Sequence, residues 1–107
     1  MNTRIVLPNE IGTGKEREVR TLFADSSRKL VLICLRNQTL LADHSAQVPI
    51  TIHAILGKGI LRVGEDSYEL APGVVVPVEA HAVHNVQAEP ELAILVTFFR
   101  QTGQMEE

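Results

Sequence analysis

Between His44 and His84 the chain is built from short β-forming runs separated by glycine-centred breaks, a pattern that leaves few folds open. ITIHAIL (50–56) is an apolar run, GKG (57–59) reads as a turn, ILRV (60–63) follows, and GED (64–66) reads as the next turn. SYEL (67–70) alternates polar with apolar, and Ala71-Pro72-Gly73 breaks the chain before VVVPV (74–78). β-Branched and aromatic runs divided by Gly, Pro and Asp at ~8–12-residue spacing belong to all-β sandwiches and barrels. The expectation is therefore an all-β chain with five or six short strands in this stretch and a sheet that closes or doubles on itself.

The flanks extend the same reading. Residues 1–16 form an arm with little core of its own, and REVRTLFA (17–24) reads as a strand in preference to a helical turn, with Val19, Leu22 and Phe23 buried in either case. After a turn at Asp25-Ser26-Ser27, KLVLICLR (29–36) is a mostly buried strand, because its apolar run is continuous instead of alternating. Asn37-Gln38 reverses the chain, and TLLADH (39–44) returns antiparallel as the second arm of a hairpin. The period of two puts Leu40, Ala42 and His44 on one face and Leu41 and Asp43 on the other. Beyond the loop SAQVP (45–49), Ile50, Ile52 and Ala54 share one face and Thr51, His53 and Ile55 the opposite one, and a one-residue slip at 47–49 would exchange the two faces. AVHNVQ (82–87) is a strand, Ala88-Glu89-Pro90-Glu91 interrupts it, LAILVTFF (92–99) closes the fold, and a polar tail (100–107) frays.

Length and charge narrow the function classes. A chain of 107 residues has room for one domain, 1–107. Its net charge of −3 supplies no basic stripe for a phosphate backbone, so no nucleic-acid partner is expected. Arg17, Arg20, Arg28 and Lys29 are interleaved with Glu16, Glu18 and Asp25 and read as a solvated mixed surface. No run approaches the ~20 apolar residues of a membrane span, and MNTRIVLPNEIG lacks the apolar centre of a signal peptide. No membrane partner is expected, and the cytoplasm is the default location. The single cysteine, Cys34, agrees with a reducing compartment and reads as a small buried hydrophobe. Phosphate loops, nucleophile elbows and Cys-x-x-Cys pairs are absent from the sequence, and no helix follows Gly57-Lys58-Gly59 to make it a phosphate cradle.

The stretch ILGKGILRVGEDSYELAPGVVVPVEAHAVHNV, with His44 upstream, resembles the double motif of the cupins, which are small jelly-roll β-barrels. The first cupin motif carries two histidines, a glutamate and a closing glycine. With that glycine on Gly57, the glutamate position falls on Ile50 and the histidine positions on His44 and Ala46. The second motif matches at Gly73 and His84, while Glu79, His81 and Ala88 stand at its proline, glycine and asparagine positions. The resemblance implies a cupin-like double-stranded β-helix with a metal site reduced to His44 and His84. A third ligand would have to come from Gln47, His53 or His81. It implies at most one weakly held divalent ion, zinc, iron, manganese or nickel.

Two histidines converging on an apolar hollow make a small-molecule pocket the first functional expectation. Its lining is expected from His44, His84, Ile50, Ile52, Ala54, Leu40 and Val76, with Ala42, Val75 and Val86 beside them. The alternative is a metal-dependent oxygenase or isomerase using His44, His84 and an unorthodox third ligand. A barrel filled by its own side chains and serving as an oligomerisation scaffold is a third option. The resemblance, together with edge strands open to pairing, implies a homodimer.

Overall fold

The computed structural model describes residues 3–100, so all of the expected tail beyond Arg100 lies outside the described residues. Two long strands carry the architecture. β4 (Ile50–Val63, 14 residues) and β7 (His84–Phe99, 16 residues) run antiparallel from Ile50↔Phe98 to Val63↔His84. Their ladder is interrupted twice, between Ala54 and Leu56 and again between Gly57 and Gly59. Across the second break Gly57 pairs with Leu92 and Gly59 with Ala88, which leaves Glu89, Pro90 and Glu91 outside the ladder. Pro90, which has no N–H to donate, is thus placed where none is needed.

On either side of this corner the two strands have different neighbours. On one side the order is β1 (Arg17–Ala24), β2 (Arg28–Leu35), the second half of β7, the first half of β4 and β6 (Val75–Val78). On the other it is β3 (Leu40–His44), the first half of β7, the second half of β4 and β5 (Asp66–Leu70). All seven strands are antiparallel and connected, and the sheet folds over itself into two layers. Leu35, Ile52 and Ile94 from the first layer and Leu61, Leu70 and Val86 from the second are fully buried between them.

Gly57 explains why the corner forms here. Its φ of +79° suits glycine, and a Cβ at that position would lie 2.1 Å from the carbonyl oxygen of Glu91. A Cβ on Gly59 would likewise come within 2.5 Å of the Gln87 carbonyl oxygen. The two strands approach so closely only because neither glycine has a side chain.

These observations correct three sequence expectations. GKG is a bend inside one continuous strand, because β7 runs alongside and supplies partners on both sides of it. Residues 84–99 are likewise one strand that accommodates its proline in a bulge. Asn37 and Gln38 do reverse the chain, both with φ near +57°, at 56° and 57°. β3, however, crosses to the other layer and pairs with β7, so 29–36 and 39–44 are not the two arms of one hairpin.

The expected strand at 17–24 is β1, but Val19, expected to be buried, is exposed; the continuous apolar run of β2 has a structural cause. One face of β2 packs inward, while Leu32 and Cys34 on the other pack with Ala93 beneath Ile11, Leu22, Ile55 and Leu56. Ile11 belongs to the N-terminal arm, which has no regular strand and is fastened by Arg36. That guanidinium donates to the carbonyls of Ile11 (2.8 Å), Gly12 (3.1 Å) and Lys15 (2.7 Å) and to Glu18 Oε1 at 2.5 Å. Burial also raises the Cys34 thiol above its ordinary pKa, with Glu18 adding to the rise and Arg36 and Arg20 opposing it.

Candidate functional site

His44, the last residue of β3, and His84, the first of β7, are direct cross-strand partners. Their rings meet edge-on, with centroids 4.1 Å apart and planes at 62°. Each ring is tethered the same way: His44 Nδ1 lies 2.8 Å from the Ala42 carbonyl and His84 Nδ1 lies 3.0 Å from the Ala82 carbonyl. A carbonyl only accepts, so both Nδ1 atoms carry the proton in the neutral rings and both Nε2 atoms keep a free lone pair. Among the described residues neither Nε2 has a hydrogen-bond partner within the protein. His84 is 3% exposed, whereas His44 is exposed. Burial lowers the His84 pKa, the Ala82 carbonyl partly opposes this, and the neighbouring His44 lowers it further.

The pair borders a cavity of about 80 Å³ between the two layers. Ile50, Ile52, Val86, Ile94, Val96 and Phe98 supply most of its wall, with Ile33, Leu41, Ser45 and Ala46 completing it. The four cupin ligand positions therefore do converge on one space, as His44, Ala46, Ile50 and His84.

The expected lining is only partly met. Ile50, Ile52, Val86 and the two histidines line the cavity, but Leu40 is 49% exposed and Ala42 also faces away from it. The cause is a bulge: Leu41 pairs with Val86 and His44 with His84, so three steps along β3 match two along β7. Simple alternation fails across that extra residue and Leu41, not Leu40, joins His44. Ala54 and Val76 are buried in the core but do not reach the cavity, and Val75 is exposed.

The strand after Pro49 kept its expected register, which leaves His53 on the opposite face from Ile52, beside Val75 and Leu95. Gln47 and His81 are exposed and also lie off the cavity wall. His81 acts through its backbone: with φ of +68° its N–H donates to the Ala46 carbonyl at 2.7 Å and holds the loop that follows His44. Asp43 accepts from Asn85 Nδ2 at 2.8 Å. Sequence reasoning missed Ile94, Val96 and Phe98, although their two-residue spacing in the closing strand was a usable signal.

The backbone has close counterparts among solved structures. An RmlC-like cupin from Desulfovibrio desulfuricans superposes with a TM-score of 0.74 over 90% of this chain and 97% of its own, at 17% identity. An RmlC-like cupin from Shewanella frigidimarina gives 0.75 over 86% and 83%, at 15% identity. The fold is that of the cupins. A cupin superfamily protein from Desulfitobacterium hafniense agrees, with a TM-score of 0.74 over 83% of this chain and 84% of its own, at 13% identity. No protein-family model and no curated protein matches the sequence.

At this level of identity the cupin likeness speaks to the fold, so the metal must be judged from the donors present. Ala46 and Ile50 offer no ligating atom, and among the described residues no group of three or more His, Cys, Asp or Glu is placed to share an ion. Two imidazoles fall short of the three protein ligands that even open catalytic zinc sites retain. The residues present do not fit a tightly held divalent ion.

Proposed function

We propose that this cupin-fold protein is a small-molecule binding module whose ligand enters the cavity beside His44 and His84. The observation that carries the reading is the pair of tethered imidazoles, each with a free Nε2, at the edge of an otherwise apolar hollow. An apolar wall with a few convergent polar groups is the usual make-up of a ligand site. A volume of about 80 Å³ favours a short aliphatic group over a drug-sized molecule. In this reading the metal site is reduced or lost. The protein works in the cytoplasm as a homodimer, with a buried free thiol at Cys34 that suits a reducing compartment.

The competing reading is a metal-dependent oxygenase or isomerase. The Nδ1 tethers favour it, because histidine ligands commonly fix one nitrogen on a carbonyl and coordinate through the other. The distance of Gln47, His53 and His81 from the cavity wall weighs against it.

Elemental analysis of untagged protein purified without chelator, paired with a thermal-shift screen of small molecules, separates the two. Under the binding-module reading metal is well below stoichiometric, stabilising ligands keep their effect in EDTA, and His44→Ala or His84→Ala removes it. Stoichiometric metal that both variants lose would overturn the reduced metal site and favour the enzyme reading instead.

A further inference from the structure

We propose that the ligand is an organic anion: its short apolar body sits in the cavity, and its charged group is held in the cleft outside by Lys29, with Arg17 at the far end. This rests on the binding-module reading and adds the chemical class of the ligand.

A second concavity of about 450 Å³ adjoins the cavity and shares Ile33, Leu41, His44 and Phe98 with it. Arg17, Val19 and Thr21 of β1 and Lys29 and Val31 of β2 form its other walls, so two cations and no carboxylate face the space. Strand alternation produces this sorting from a sequence in which acids and bases are mixed. Glu18 turns to the opposite face and binds Arg36, Glu16 accepts from Asn37, Asp25 pairs with Arg28, and Asp43 is taken by Asn85. Among the described residues neither Lys29 nor Arg17 forms an ion pair.

Lys29 is also held in place. Its Nζ lies 5.6 Å from the centroid of the Phe98 ring, which lines both cavity and cleft. A cation over an aromatic face is positioned without being neutralised, so the charge stays available to a ligand. Cations in a concave site with low-dielectric walls concentrate anions. Arg17 and Lys29 stand six residues apart along the β2 register, from Leu35 to Lys29, so they flank the cleft instead of clamping one atom. A carboxylate beside Lys29 with its alkyl end toward Ile50 and Val86 answers the nearer cation and the apolar wall together.

The test uses isovalerate with isoamyl alcohol and isoamylamine as neutral and cationic counterparts, followed through the methyl NMR signals of Ile50, Ile52 and Val86. Isovalerate is expected to bind about tenfold more tightly than either counterpart and to weaken roughly fivefold in Lys29→Gln but not in Lys29→Arg. If the alcohol binds as well as the acid, or the preference for acid survives in both Lys29→Gln and Arg17→Gln, the anion assignment is overturned and the cavity reading stands. If none of the three compounds moves these signals, the cavity reading falls and the anion assignment falls with it.

Discussion

His84 shows how one residue's surroundings reach into the stability of the whole chain. Its folded pKa lies below the ordinary 6.5, chiefly because burial disfavours the imidazolium. The unfolded chain therefore takes up this proton more readily than the folded one. Above the ordinary value both states are neutral and His84 makes no pH-dependent contribution. As pH falls through that value the fold loses stability, until the folded imidazole is protonated as well. Urea midpoints measured at pH 7.5 and 5.5 should show a smaller acid-side loss in His84→Gln than in the wild type; equal losses would mean that burial does not depress this histidine. Arg36 is the opposite case, a buried charge with four of its five N–H donors engaged. Arg36→Met should destabilise by about 2–4 kcal/mol in urea unfolding, because three carbonyls and Glu18 lose their donor at once. Arg36→Lys should recover only part of this, since an ammonium cannot reproduce the planar fork.

Among the elements, the β4–β7 corner decides the architecture. Gly57→Ala would place a methyl carbon 2.1 Å from the Glu91 oxygen at a φ that L residues resist. A loss of roughly 3 kcal/mol or more is expected in chemical denaturation, against little change for Gly64→Ala beyond its own positive φ, where the space is open. Comparable losses at the two glycines would show that backbone conformation, not the close approach, sets the requirement at the corner. The bulge in β3 has a subtler role: it exchanges Leu40 for Leu41 and so brings an apolar side chain beside His44.

On the scale of the molecule, the folded sheet leaves β1, β3, β5 and β6 as edges. Open edges invite pairing with another copy, and Val19, Leu40 and Val75 are large apolar groups exposed on or beside them. Light scattering of dilute protein should accordingly give twice the mass of one chain, whereas a single-chain mass at tens of micromolar would remove the proposed dimer. No helix of the described residues is long and apolar enough to cross a membrane.

The order and kind of the elements were legible in the sequence because strand periodicity and turn residues act locally. The runs at 17–24, 29–36 and 50–56 follow from their β-forming composition, and the shared face of Ile50, Ile52 and Ala54 from side-chain alternation, with the cupin motif turning that face inward. The pairing of His44 with His84 was legible through the cupin motif that spans them. What the sequence could not decide depends on partners distant along the chain. Gly57 and Gly59 have the composition of a turn, and only the presence of β7 alongside makes them a bend in one strand. Leu40 and Leu41 are chemically the same, and only the unequal step count against β7 chooses between them. The mixed charges of 16–29 become a cationic cleft only when the strands sort them by face and pack one face beside the cavity. Alternation is a property of a strand, but bulges, corners and clefts are properties of two strands meeting, and those belong to the tertiary structure.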